Sequence, residues 1–181
     1  DLTVWAGANK RHDNSSSETQ STTINQFEQK VNDNIRKFKN DTKSEQYNAS
    51  ALYVRRFKKK GRSLSFNYST SGYKQDGEQE LYSKLTFYKE GKAERDSTLD
   101  QKKFVNNSSF SMGGEFAYSE PISKKVILSF EYGHNFNRNN NAVESFDKNR
   151  NTGAFDTLDS LYSNDFLYKT TKNSYNLAVN Y

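Results

Sequence analysis

No cysteine occurs in the 181 residues, so the chain has no disulfide framework and no thiolate for metal or nucleophilic chemistry. That absence suits a compartment in which thiols would be oxidised. Proline occurs once, at Pro121. Aliphatic residues are scarce: the hydrophobic fraction is 32% and the mean hydropathy −1.08, against roughly 45–50% apolar residues in an average water-soluble domain. No run of about 18 apolar residues exists, which excludes a transmembrane helix, and no charged, apolar, small-residue signal segment opens the chain. Low hydropathy alone would point to disorder. The 12 tyrosines and 13 phenylalanines argue against it, because they are placed regularly.

The clearest regularity lies between residues 109 and 136. Phe110, Met112, Gly114, Phe116 and Tyr118 alternate with Ser109, Ser111, Gly113, Glu115 and Ala117. After a connection holding Pro121, Val126, Leu128, Phe130, Tyr132, His134 and Phe136 alternate with Ile127, Ser129, Glu131, Gly133 and Asn135. Successive strand side chains point to opposite faces, so this pattern predicts a two-faced antiparallel hairpin. Apolar residues are few because one narrow face needs them. In a transmembrane barrel that face meets lipid while the interior stays polar.

The same period marks further strands. Leu2, Val4, Ala6 and Ala8 alternate with Thr3, Trp5, Gly7 and Asn9; a second strand runs from Gln46 to Phe57, with Arg55 and Arg56 on opposite faces. In the third, Leu64, Phe66, Tyr68 and Thr70 face outward and Ser63, Ser65, Asn67 and Ser69 inward, with a continuation over Leu81–Tyr88 beyond a kink at Gly77. The last, Asn173–Tyr181, sets Tyr175, Leu177, Val179 and Tyr181 against Ser174, Asn176, Ala178 and Asn180. Between them, Arg11–Ser44, residues 89–106 and Asn137–Leu167 read as long polar loops. In the first of these, Ile24, Phe27, Val31, Ile35 and Phe38 have spacings that allow an amphipathic helix, but a loop with strand extensions is the better reading.

The expected fold is therefore all-β: an antiparallel up-and-down transmembrane β-barrel, with about six strands, short periplasmic turns and long extracellular loops. Six strands fall short of the smallest single-chain outer-membrane barrel, which has about eight. Residues 1–181 then form part of one barrel domain in the bacterial outer membrane. Leu64, Phe66, Tyr68, Phe110, Met112, Phe116, Tyr118, Val126, Leu128, Phe130, Tyr132, Tyr175, Leu177 and Val179 are expected to face lipid, and Ser65, Asn67, Ser111, Glu115, Ser129, Glu131 and Asn176 the lumen.

Three segments, Tyr53–Ser65, Tyr118–Lys125 and Leu158–Asp165, together resemble the outer-membrane β-barrel family of TonB-dependent-receptor-like proteins. The resemblance covers about residues 46–181. It implies a larger protein with a plug domain, a barrel of about 22 strands if it is a full transporter, TonB as partner, and capture of a ligand by extracellular loops. No plug is expected within this chain, which reads as a piece of barrel wall. The ligand is unidentified; loops rich in Asn, Asp, Ser and Lys suit a polar nutrient, a glycan or a peptide, and equally suit plain solvation.

Other motifs compete with this reading. The basic cluster Arg55, Arg56, Lys58, Lys59, Lys60 and Arg62, in a chain of net charge +5, could bind nucleic acid, but suits anionic lipid head groups better. Asp147, Asn149 and Asn151 begin like a calcium loop, yet Gly153 is one place late and Leu158 stands where a bidentate Glu belongs, so an EF-hand is rejected. Glu115 and Glu131 could pair as acid and base, though lumen carboxylates are commonly present without chemistry. His12 and His134 lack a second ligand at useful spacing. We expect no enzyme, no cofactor, no metal site and no nucleic-acid partner. The alternative is a small soluble β-barrel that turns the aromatic face inward around an apolar ligand.

Overall fold

The structure, a computed structural model, describes residues 1–180. Seven strands follow in chain order: β1 (Leu2–Ile24), β2 (Lys30–Arg56), β3 (Ser63–Lys89), β4 (Lys92–Pro121), β5 (Ile127–Lys148), β6 (Phe155–Leu158) and β7 (Asn164–Asn180). They form one antiparallel sheet in sequence order, and β6 and β7 lie in succession along the same side of β5. The sheet is open: β1 pairs only with β2, and β7 only with β5. The expectation for Tyr181 lies outside the described residues.

The strands are far longer than the alternating sequence predicted. A membrane crossing needs about 9–11 strand residues, whereas β4 has 30, or about 100 Å at roughly 3.4 Å per residue. The three polar stretches expected to be loops are mostly strand. Arg11–Ser44 is a β1–β2 hairpin whose turn occupies only residues 25–29, and residues 92–106 belong to β4. The β3–β4 connection is a two-residue turn, Glu90-Gly91, with both φ angles positive (52° and 76°), the signature of a type I′ hairpin. Connections at both ends are short. What differs is the overhang of strand beyond the apolar rows.

Polar strands persist because the ladder is unbroken. β1 and β2 keep one register from Leu2–Tyr53 to Thr23–Asn32, and β2 and β3 from Arg56–Ser63 to Asn32–Phe87. Every β2 backbone group along these lengths is offered a partner by β1 on one side or β3 on the other, and side-chain alternation never slips face. Gly77 does not kink β3 out of the sheet; it continues opposite Thr42 and Val105 with φ +154°. Its missing Cβ is needed, because that atom would collide with the Asp41 carbonyl oxygen. At Gly72 the reason is different: the ring of its cross-strand partner Tyr47 occupies the space a Cβ would fill.

One sheet leaves almost no core. Val105, 7% exposed, is the single buried hydrophobic residue among the described ones, while Phe66, Phe116, Tyr175, Leu177 and Val179 are all exposed. Changing Gly77 to Ala should therefore cost about 1–3 kcal/mol of backbone strain and lower the urea midpoint of unfolding. Gly114→Ala is the control, since its nearest atoms stand 3.9 Å away, and its midpoint should stay near wild type.

Candidate functional site

Register sorts the side chains into two unlike faces. On the first, Leu2, Tyr53, Phe66, Phe116, Tyr132 and Tyr175 stand in one row across six strands. The adjoining rows hold Leu64, Tyr118, Phe130 and Leu177 on one side, then Tyr68, and next Thr70, Met112 and Phe136 on the other. On β3 this apolar band runs from Leu64 to Gly72, the length of one membrane crossing. Tyr132 and Tyr175 pack at 5.1 Å between ring centroids, and Phe110 and Phe136 at 6.3 Å. The Tyr132 hydroxyl donates to Asn173 Oδ1 at 3.1 Å, and His134 Nδ1 lies 2.8 Å from the same oxygen, which ties His134 into the band.

Every residue expected on the lipid side lies on this face except Val126. Val126 precedes β5 and sits in the turn, where its carbonyl accepts from the Ile122 and Ser123 backbone N–H groups. Alternation carried it into the strand pattern, but the 122–126 turn claims its backbone. Arg55 also falls on the banded face, opposite Leu64, with its guanidinium 5.1 Å from the Phe57 ring centre.

Beyond the band, the same face becomes a lattice of ion pairs. Lys10–Glu45 (2.7 Å), His12–Asp41 (2.6 Å), Lys37–Glu18 (3.3 Å), Lys39–Glu80 (3.6 Å), Lys84–Asp96 (3.2 Å), Lys148–Asp100 (3.1 Å) and Lys102–Glu78 all lie on it. These exposed pairs are individually weak. Their alternation, with the Phe104–Phe146 ring pair at 5.7 Å, keeps the overhanging strands in register. At the tip, Asp33 accepts from Lys30 (2.7 Å), Thr22 (2.7 Å) and Tyr88 (2.8 Å), and these hydrogen bonds hold its carboxyl down at about 2.

The second face is poor in charge and rich in amides and hydroxyls. It carries every residue expected in the lumen: Ser65, Asn67, Ser111, Glu115, Ser129, Glu131 and Asn176. Glu131 and Asn176 are ladder partners joined by a 3.0 Å hydrogen bond, and Ser119 and Ser129 are joined at 3.1 Å. Farther along come Asn135, Asn137, Asn139 and Asn141 on β5, then the pairs Gln75–Asn107 (3.3 Å) and Asn40–Gln79 (3.0 Å). Glu115 and Glu131 line one shallow cleft of about 230 Å³ with Gly133, Ser174 and Asn176. No hydrogen bond joins the two carboxylates, and Glu131 is engaged by an amide.

The sequence did not signal a latch on this face. Between β6 and β7, residues 159–163 stand opposite only Glu144 and Ser145, a bulge with three extra residues. The bulge folds onto the sheet. Gln101 Nε2 donates to Asp159 Oδ2 (2.8 Å), while Asp159 Oδ1 accepts from the Leu161 and Tyr162 backbone N–H groups. Ser145 Oγ donates to the Tyr162 carbonyl (2.8 Å), Ser163 Oγ to the Asp159 carbonyl (2.7 Å), and Lys103 sits 5.5 Å from the Tyr162 ring centre. Gln101 and Ser145 are the two fully buried side chains. This network gives a physical role to Asp159, Tyr162 and Ser163, which the sequence presented only as a family-like string. The Asn149 carboxamide oxygen, read as a cation ligand candidate, instead accepts from the Asn151 and Thr152 backbone N–H groups in the 149–154 turn. Among the described residues no three His, Cys, Asp or Glu side chains converge as a metal site would need.

Two outcomes follow from this geometry. Asp159→Ala strands the buried Gln101 amide, at about 1–3 kcal/mol, and removes the acceptor of two exposed backbone donors that fixes the bulge. Limited proteolysis of the folded protein should then cut within 159–163 at least about tenfold faster. Carboxyl-carbon NMR should find Asp33 titrating near pH 2, against about 3.9 for a free Asp. Because its pKa is lowered on folding, its stabilisation of the tip is complete above about pH 4 and is lost as pH falls from there towards 2. Tyr88→Phe should raise the midpoint.

The profile of the outer membrane protein beta-barrel family matches residues 55–177, a little over two thirds of the chain. No curated protein and no solved structure gives a significant match.

Proposed function

Because the chain belongs to the outer membrane protein beta-barrel family, which places it in the bacterial outer membrane, we propose that it forms part of the wall of a TonB-dependent-receptor-like barrel. In this reading the barrel binds or takes up a polar nutrient. The observation that carries it is the open sheet. The outer edges of β1 and β7 are unpaired beside an apolar band as long as a membrane crossing, and unpaired backbone in hydrocarbon is not viable. Further strands must close it. The banded face then meets lipid and the amide face lines the lumen, with the hairpins beyond the band projecting from the membrane on the side opposite the 57–62 and 122–126 turns.

The resemblance supplies the rest of the proposal: a plug domain inside the barrel, TonB as the energy-coupling partner, and ligand capture by the projecting hairpins and the lumen wall. The charge-poor surface of Asn, Gln, Ser and Tyr suits a neutral, hydrogen-bonding ligand. Catalysis is no part of the proposal, since Glu131 is held by Asn176 and no nucleophile and base stand together on either face. The soluble alternative fares worse: the exposed aromatic band has nothing apolar packed against it, and the family is a membrane one.

Spin labels at positions 116 and 115 of the full-length protein in lipid test the orientation. Oxygen should relax the label at 116 and a water-soluble reagent the label at 115; a label at 116 shielded from both would mean a packed core and defeat the membrane wall. Energy coupling is read separately. The full-length protein should be retained on an immobilised C-terminal domain of TonB, and a lack of retention would leave the barrel but remove TonB from the proposal.

A further inference from the structure

The chain's positive charge is concentrated at one end of the sheet. Two adjacent turns, residues 57–62 and 122–126, with the end of β2 between Arg55 and Arg56, carry eight basic residues. The acidic residues at that end are Asp1, beside Val54, and Glu120. For the whole chain the count is 27 basic to 22 acidic, so the remainder holds 19 basic and 20 acidic residues. The excess charge of the molecule is the charge of this collar. Elsewhere the two signs are nearly equal in number, and eight of the cations form ion pairs among the described residues.

Within the collar one carboxylate is already saturated. Glu120 accepts from Arg62 Nε (2.7 Å), Arg62 Nη2 (2.8 Å), Lys59 Nζ (2.7 Å) and the Tyr118 hydroxyl (2.7 Å). This clamp ties the 57–62 turn to the end of β4 and fixes the direction in which the turn projects. Lys58, Lys60, Lys124 and Lys125 form no ion pair among the described residues, and all four are exposed. Like charges gathered without counter-charge raise the free energy of the folded chain, so an external anion should lower it. Lys60 and Lys124 face one cleft of about 640 Å³ at the end of the sheet, whose other lining includes Gly61, Pro121, Ile122 and Ile127. Gly61 holds φ +88° there, with its Cβ position 3.6 Å from Ile127 and 3.7 Å from Pro121, so the turn bends down onto apolar side chains. Ile122 is 63% exposed at the tip of the second turn.

The collar begins where the apolar band ends, with Arg55 in the row of Leu64 and Tyr118. Cations and an exposed isoleucine at the end of a lipid-length band match the boundary of a bilayer, where phosphodiesters and the first methylenes meet. We propose that the two turns form a binding collar for anionic phospholipid head groups in the leaflet at the end of the 57–62 and 122–126 turns, with the unpaired lysines Lys58, Lys60, Lys124 and Lys125 meeting the phosphodiesters. It would anchor the barrel vertically and enrich anionic lipid around this part of the wall. The inference rests on the banded face meeting lipid, which the label at 116 reads independently.

The test uses the full-length protein in bilayers of phosphatidylcholine with one tenth phosphatidylglycerol, and native mass spectrometry of the lipids that stay bound. Wild type should retain phosphatidylglycerol at least about fivefold above its share of the bilayer. The enrichment should fall as salt is raised and persist in millimolar inorganic phosphate. Changing Lys58, Lys60, Lys124 and Lys125 together to Gln should abolish it, while changing all four to Arg should preserve it; the Glu120 clamp is untouched in both. No enrichment in wild type overturns the proposal whether or not the variants fold. So does equal enrichment in the Gln variant, loss of bound lipid to inorganic phosphate alone, or binding of a single-stranded RNA in place of lipid.

Discussion

Everything in this molecule depends on a backbone ladder that holds one register over twenty residues and more. Because the side-chain period in a strand is two, a slip by one residue would exchange the faces along the whole length of a strand. No slip occurs between Leu2–Tyr53 and Thr23–Asn32, or anywhere from Arg56–Ser63 to Asn32–Phe87. Leu2 on β1 and Tyr175 on β7 therefore share a row although five strand pairings separate them. With one buried apolar side chain in the sheet, packing cannot be what specifies this arrangement. Hydrogen-bond pairing and the environment of each face must do so.

Three zones follow along the strands. At the short-turn end, cations gather around a single clamped Glu120. Through the band, aromatic and aliphatic residues occupy one face, while serine, asparagine and two glutamates occupy the other. Beyond it, the first face turns from apolar to paired charge, while the second keeps its amides and hydroxyls and adds Phe38, Leu81, Leu85, Phe87, Leu99 and Val105. On the first face the change falls at the row of Tyr47 and Phe110, which already holds Arg138 on β5 and Lys169 on β7, and the next row carries Lys10, Glu45 and Lys74. A boundary between hydrocarbon and water imposes such a change, because a charge left in the band would cost about 2–4 kcal/mol near the midplane.

Strand content was legible wherever hydrophobicity alternated, from Leu64 to Thr70, Phe110 to Tyr118 and Leu128 to Phe136. Thirteen of the fourteen residues read as one face, and all seven read as the other, share the expected sides. The overhangs were read as loops because they alternate in charge and not in hydropathy. Lys37, Lys39, Asp41, Lys43 and Glu45 occupy every second position of β2, a period-two signal that a search for apolar residues passes over. Glu90-Gly91 was a hairpin signal overlooked for the same reason, since the strands on either side looked too polar to pair.

The sequence by itself determined which side chains share a face, where the apolar band begins and ends, and that positive charge collects at the two turns. Those properties follow from the fixed two-residue period of an extended chain and from the order of residues along it. Only the tertiary structure decided how far the strands run, that residues 159–163 leave the ladder and lock onto Gln101 and Ser145, and that Glu120 consumes Lys59 and Arg62 while Lys60 and Lys124 stay unpaired. Each of these joins residues from different strands, and contacts of that kind come into being only once the pairing register has set the strands side by side.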